Sequence, residues 1–464
     1  MGAQERAFRE EPIGRLLVRL FIPIFLSYFA SEIYSMVDSL VVSNFMGPVA
    51  VAGVNMVLPL QRLMVALAIM VSLGAQTHLS NFLGKHSLEE AAGIIKYGEK
   101  LVIIGFTPLL IVLYMVREPL FRMLGAGPEV APLAMTYLSF LLPGMLAVGL
   151  SIYRSQLLIA LGKSQVALIS TVIGAFLNTG LDLLLVGKFQ MGLAGAGLST
   201  TISQIIACIY VMSVSKTTAS DWKLNTVNPI NTITTGQLLI LGLSSFVIEA
   251  EDGLLIAIFN RLLASTVGDR GLIILGLNMR LYLLLFVALC AMAAAMQPLT
   301  SYYMGDGNYK KIIKVRNLTQ KLATIVSLVL WAIFMLTTEF WLGLFVRDTE
   351  LIAEAAKSFR IMIAGFPFIS LYYVSIYYFQ AIGKGRASFI VAIFRQLLVM
   401  VPLGIFMVKV MNLGALGVWL SYPISDVISG VASLWLLKRE DGLMATPEVA
   451  VTRKESVSQL TNFS

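Results

Sequence analysis

"ISTVIGAFLNTGLDLLLVG" spans residues 169–187. A helix over this run is about as long as the hydrocarbon core of a bilayer is thick, ~30 Å. The run is almost wholly apolar, yet Asn178 and Asp182 stand inside it, four residues apart and so on one helical face. A carboxylate at the bilayer centre costs roughly 2.5–3.5 kcal/mol on insertion scales. A residue with that cost calls for a protein-lined environment, so this stretch reads as a membrane span that carries a site.

The whole chain extends the pattern. Of 464 residues, 58% are hydrophobic and 13% charged, with net charge +8. A soluble domain carries about 25% charged residues. The composition is that of an all-α integral membrane protein, and the positive charge is expected on cytoplasmic loops, with no nucleic-acid partner. About twelve runs are long enough to span as helices. They lie at 16–43, 51–79, 95–116, 131–158, 164–187, 192–214, 236–264, 271–299, 315–338, 352–380, 387–410 and 413–437. Continuous apolar runs of this length exclude a β-barrel, whose strands alternate. Cys208 and Cys290 lie in apolar runs and read as buried thiols. His78 and His86 are too few for a zinc or haem centre. The charged start, "MGAQERAFREEPIGR", has no signal-peptide pattern, and Arg6 stands where a myristoylation signal needs Ser or Thr.

Connections between spans fall into two sets. One holds Arg6, Arg9, Arg15, Lys85, Lys96, Lys100, Lys163, Lys216, Lys223, Lys310, Lys311, Lys314, Arg316, Lys384, Arg386, Lys438 and Arg439. The other holds Arg117, Arg122, Lys188, Arg261, Arg270, Arg347 and Lys409. The richer set marks the cytoplasmic side, so both termini are expected there, in a multi-pass protein of the cell inner (plasma) membrane.

The chain is written twice. "LIALGKSQ" around Gly162 resembles "FQAIGKGR" around Gly383, and "GAQTHLSNFLGKHS" resembles "AMQPLTSYYMGDGN", both at an offset of roughly 221 residues. Chance similarity between apolar segments is the competing explanation; one offset shared by two separate loops favours a repeat. Six spans per copy give parallel repeats with a cavity between two lobes. The expected organisation is a cytoplasmic N-terminus (1–15), an N-lobe (16–215), a cytoplasmic linker (216–235), a C-lobe (236–438) and a polar cytoplasmic tail (439–464).

The repeat supplies an internal control. Asn178 and Asp182 map onto Val399 and Leu403. The second copy does without polar groups there, so the first half is specialised. Asp38 is a second acid within a span, with Ser35, Tyr34 and Ser31 on the same helical face. Asp38, Asn178 and Asp182, with a hydroxyl from Thr200 or Thr201, would make an oxygen-rich pocket for a hard cation such as Na⁺, or for a proton. Two close carboxylates in a low-dielectric site do not both stay ionised easily. The alternative for each acid is a structural hydrogen bond to a neighbouring helix. In the second half, Glu249 and Asp252 share a face, with Asn260 on nearly the same side and Glu251 pointing elsewhere. These acids, and Glu32 in span one, either line a cavity or snorkel to water. Arg280, Arg395 and Gln396 are further polar residues within spans, with charge balance or interlobe pairing as the expected role of the arginines. Gln297 and Tyr34 are further cavity or interlobe candidates.

Together these segments resemble the multidrug and toxic compound extrusion (MATE) family over nearly the whole chain, from about Ile13 to Leu437. The resemblance is carried by "IP…VDSLVVSNFMG…AVAGVNMVLP" with Pro23, Asp38, Gly47 and Pro59, by residues 278–311, and by "FRQLLVMVPLGIFM…LGALGVWLSYPISD". It implies an antiporter, not an enzyme, that expels amphipathic and often cationic organic compounds on an inward Na⁺ or H⁺ gradient, with no cofactor beyond that ion. A monomer is expected. In the branch with an acidic N-lobe, the ion pocket corresponds here to Asp38, Asn178, Asp182 and Thr200; another branch uses an acid in span seven, near Asp252, with Glu249 and Glu251 as rivals. The chain departs from the family pattern at Ser244, where a Pro is common. A flippase for a lipid-linked or polysaccharide precursor is the competing function. Acids predominate among the charges within the first spans of both halves, which favours cations over lipid phosphates. No HExxH or GxSxG motif points to an enzyme.

Overall fold

A computed structural model describes residues 8–445; the side chains of Ser35, Met36, Ser39, Leu40, Val42, Pro48, Asp252 and residues 443–445 lie outside the described part. The described chain is helical throughout its length, with short connections. In the first half, α1 covers Ile13–Gly84, α2 Leu88–Met115, α3 Arg117–Met123, α4 Val130–Ala160, α5 Ser164–Asp182 and α6 Gly192–Asp221. The second half contains α7 (Thr235–Val267), α8 (Asp269–Gly305), α9 (Tyr309–Gly343), α10 (Thr349–Met362), α11 (Phe366–Ala381), α12 (Gly385–Ile393), α13 (Val401–Lys409) and α14 (Ala415–Ala445).

A straight 72-residue helix would be about 108 Å long, several times what one crossing needs. Backbone geometry resolves this at Gly47, whose φ of 77° breaks α1 into two spans. That left-handed conformation suits glycine. Among the described residues, ten helices are long and apolar enough to cross a bilayer. The pair α10 and α11, bent by 53°, supplies an eleventh. The sequence predicts one straight span at 352–380; the break falls just before Pro367, which lacks an N–H and opens α11. Helix α7, 33 residues long and packed against α1, α8 and α12, is not among these; its apolar run is interrupted by the acids at 249, 251 and 252. It continues unbroken through Ser244, whose hydroxyl accepts from Gln380 Nε2 at 2.6 Å and pairs with Ser388 at 2.8 Å.

Two further boundaries differ from the sequence expectation. Helix α6 continues to Asp221, and the irregular connection starts at Trp222, which is buried with Leu224. A capping box between Thr234 and Gln237 starts α7. At the far end, α14 continues past Arg439 because two acids there are held: Lys384 pairs with Glu440 at 2.6 Å, and Arg316 pairs with Asp441.

The internal repeat is structural. Gly162 and Gly383, matched in sequence, end their helices with φ of 79° and 83°. The copies pack on each other where α1 ends and α8 ends. A methyl on Gly84 would sit 2.0 Å from the carbonyl oxygen of Tyr302; one on Gly305 would sit 2.0 Å from that of Asn81. The contact is reciprocal, as a pseudo-two-fold axis between repeats requires. Gly74 meets Leu238 and Gly242 meets Met70 with similar closeness. Gln297 adds a side-chain link between the halves, donating to Thr77 Oγ1 at 3.0 Å. The Phe8 ring packs tilted against Tyr302 at 5.2 Å, and the Phe8 carbonyl accepts from Tyr303 Oη at 2.8 Å. The halves therefore meet tightly at the end that carries residue 8.

Candidate functional site

Above this contact lies a cavity of about 480 Å³. Its walls come from both halves: α1, α4, α5 and α6 on one side, α7, α8 and α11 on the other. Tyr28, Phe286, Tyr377, Met64 and Met145 give it an aromatic and thioether surface. Among its described lining residues the charged ones are Glu32, Arg62 and Glu249. Tyr34, Gln61 and Thr200 line it as well.

Behind Tyr34 and Thr200 is a smaller polar pocket, inside the first half. Asn178 and Asp182 are fully buried, at 0% exposure. Their hydrogen-bond network selects one amide orientation: Asn178 Nδ2 donates to Asp182 Oδ2 at 2.9 Å, and its oxygen lies 3.1 Å from Thr200 Oγ1. Ser199 donates to the other carboxylate oxygen, Asp182 Oδ1. Asp38 reaches the same pocket from α1 and lies within hydrogen-bonding reach of Asp182. Tyr34 and Tyr137 both reach the Thr200 hydroxyl, and Tyr137 also reaches Gln61 on the cavity wall. The donor set is two carboxylates, an amide and hydroxyls. Among the described residues no three His, Cys, Asp or Glu converge; the groups that do meet are oxygen donors, the class that hard cations prefer.

Local backbone geometry places these groups. The α-helical ladder of α5 ends at Asp182 and passes into a π-helical turn, Leu183–Lys188. The corresponding helix of the second half does the same: α12 passes into a π-helical turn at Phe394–Met400, which carries Arg395 and Gln396. Wide turns of this kind re-aim side chains and leave carbonyls less tightly bonded.

The other sequence-selected residues are spread over the second half. Glu249 lines the cavity, whereas Glu251, 4% exposed, is buried on another face of α7. Asp252 lies outside the described side chains. Asn260 is half-buried beyond the cavity lining. Arg280 is exposed and sits over the Phe345 ring at 5.8 Å. Arg395 is buried and paired within its own half, its Nε donating to Asp426 Oδ1 at 2.8 Å and its guanidinium to Tyr282 Oη at 2.6 Å. Gln297 joins the halves below the cavity. Thr201, the rival of Thr200, instead donates to the carbonyl of Phe140 at 2.6 Å. Sequence reading missed Ser199, Tyr137, Gln61 and Arg62. Ser199 had a local signal, because it neighbours Thr200; Tyr137 and Gln61 had none.

The MatE family model matches residues 23–184 and 254–406, one segment in each half. The chain belongs to the MATE family. It is thus a multi-pass secondary transporter and not an enzyme. Curated relatives agree along most of the chain: it is 22% identical over 439 residues to the multidrug export protein MepA of Staphylococcus saprophyticus, covering 93% of this chain and 94% of that one. It is 23% identical over 440 residues to MepA of Staphylococcus aureus strain NCTC 8325, with the same coverage. Among solved structures, MATE in complex with MaL6 superposes with a TM-score of 0.87 at 22% identity, covering 96% of this chain and 99% of that one. The outward-facing conformation of a multidrug resistance MATE family transporter of the MOP superfamily gives 0.86 at 21% identity, again over 96% and 99%. These superpositions show that this MATE chain has the two-lobed fold of the family.

Proposed function

We propose that this protein is a cation-coupled multidrug efflux antiporter of the cell inner (plasma) membrane, with both termini cytoplasmic. It exchanges amphipathic organic cations for Na⁺ or H⁺ by alternating access of an N-lobe (16–215) and a C-lobe (236–438) around the central cavity. The supporting observation is a shared wall. Tyr34 and Thr200 border the large cavity and also touch the buried Asp38–Asn178–Asp182 pocket. An ion entering the small pocket therefore acts on the cavity surface directly.

The residues act as follows. With the pocket unneutralised, Asp38 and Asp182 repel each other and hold α1 and α5 apart. Arrival of Na⁺ or a proton removes that repulsion, and oxygens of Asn178, Ser199 and Thr200 complete the ligand shell. Tyr34 and the α1 segment then repack, the cavity contracts, and the organic cation is released outward. Rocking of the lobes releases the ion on the other side. Both ligands act through one repacking element, so each lowers the affinity of the other. Relatives described as multidrug export proteins support the broad substrate class.

Reconstitution in liposomes tests the reading. A fluorescent lipophilic cation should move against its own gradient when a Na⁺ gradient or a pH gradient is imposed, and the more effective gradient names the ion. Folded protein that moves no cation under either gradient, but binds a lipid-linked sugar, would establish the flippase instead.

A further inference from the structure

The charge on the cavity wall is not evenly shared. Arg62 comes from α1 in the N-lobe and Glu249 from α7 in the C-lobe, and their charged atoms approach to 4.0 Å. Other ion pairs, such as Arg154–Glu99, Arg270–Glu354 and Arg395–Asp426, each stay within one half. These others are hydrogen-bonded. Arg62 and Glu249 face each other across the cavity at 4.0 Å, farther apart than direct donor–acceptor contact. Their side chains are 60% and 33% exposed. A pair this open is held weakly.

We propose that Arg62 is a tethered counter-ion for Glu249, which an organic monocation displaces on binding. The inference rests on the efflux reading of the cavity. With Glu32 and Glu249 against Arg62, the described wall carries one net negative charge, which a single positive charge on the substrate neutralises. Glu249 also has an aromatic setting. Tyr28 and Tyr377 lie close enough to sense its charge, and both line the cavity. An aromatic or alkyl cation placed there gains the carboxylate and ring faces together. Arg62, on a flexible stem, then swings away into the solvent-filled space. The cross-lobe tie is present when the cavity is empty and absent when it is loaded, so Arg62 sets a threshold: weakly interacting cations fail to dislodge it.

The test uses an isosteric pair of opposite charge, tetraphenylphosphonium and tetraphenylborate, binding to the purified full-length protein. Wild type should prefer the phosphonium. Arg62→Gln should bind it at least about threefold more tightly, since the competitor is gone. Glu249→Gln should bind it about tenfold more weakly, the loss expected for a charge-assisted partner. In the Glu249→Gln background, Arg62→Gln should change phosphonium affinity little, because the two residues act on each other. Arg62→Lys keeps the charge and should bind as wild type does, which separates loss of the counter-ion from damage to the fold. Equal tightening by Arg62→Gln with and without Glu249, or none in either background, would overturn the counter-ion role while leaving efflux intact. Wild type that binds neither ion would overturn both this role and the efflux reading of the cavity.

Discussion

The two lobes share a fold and differ in what they bury. In the N-lobe, α5 and α6 enclose Asn178, Asp182 and Thr200 with Asp38 alongside. Among the described residues that meet there, none is Lys or Arg. In the C-lobe, the corresponding helices enclose Arg395 and Asp426, at 2% and 0% exposure, with Tyr282 as a third partner. Both helices pass into a π-helical turn beside these groups. In the C-lobe the buried carboxylate of Asp426 is matched by a buried guanidinium. In the N-lobe pocket the described groups are acids, an amide and hydroxyls, and in the proposed mechanism a cation or a proton completes them. One architecture thus holds a structural ion pair in one copy and, in the proposed function, a coupling site in the other.

Breaking each constellation should give opposite phenotypes. Arg395→Ala leaves Asp426 buried and unpaired, which should cost about 3–5 kcal/mol. The thermal unfolding midpoint of solubilised protein should fall sharply, and an Arg395→Met, Asp426→Leu double variant should recover most of the loss. Asp182→Asn should do the reverse, abolishing gradient-driven uphill transport down to the passive leak while the unfolding midpoint stays near that of wild type. If Asp182→Asn unfolds the protein and Arg395→Ala merely uncouples it, the assignment of roles to the lobes is inverted.

A third prediction probes what the lobes share. The Gly84–Gly305 contact is reciprocal, so Gly84→Ala and Gly305→Ala should act alike. Each forces a methyl against backbone, at a cost of about 1–3 kcal/mol. Both should open the residue-8 end, seen as faster labelling by an impermeant thiol reagent of a cysteine placed at Ser80. Unequal effects would show that the repeats do not contribute symmetrically to closure. The smallest effect separates two neighbours. Thr200→Val removes one hydroxyl from the pocket and should weaken the ion response about fivefold, the worth of one hydrogen bond. Thr201→Val should leave the ion response unchanged, because its hydroxyl bonds to Phe140.

Much of this difference is legible in the sequence, for a physical reason. The bilayer punishes polar groups, so apolar runs mark spans and each buried acid stands out against them. The repeat offset adds a comparison between copies, and Val399 and Leu403 opposite Asn178 and Asp182 set the first half apart. What sequence does not carry is the register of one helix against another. Arg395 stands out as a lone charge, but nothing local names Asp426, 31 positions on, as its partner. Arg62 is hidden for the same reason: its relation to Glu249 exists only across the cavity. The bend before Pro367 shows the opposite case. The proline is visible, but whether it bends a span or ends one depends on the packing around it.

Ligand linkage in purified protein tests the central claim most directly: that neutralising the Asp38–Asn178–Asp182 pocket weakens cation binding in the cavity. Protein loaded with tetraphenylphosphonium would be exposed to rising Na⁺ and, separately, to falling pH, with Asp182→Asn alongside. Wild type should release the bound cation under at least one of these, and Asp182→Asn should hold it under both. Release that is equal in wild type and Asp182→Asn would place the coupling ion elsewhere.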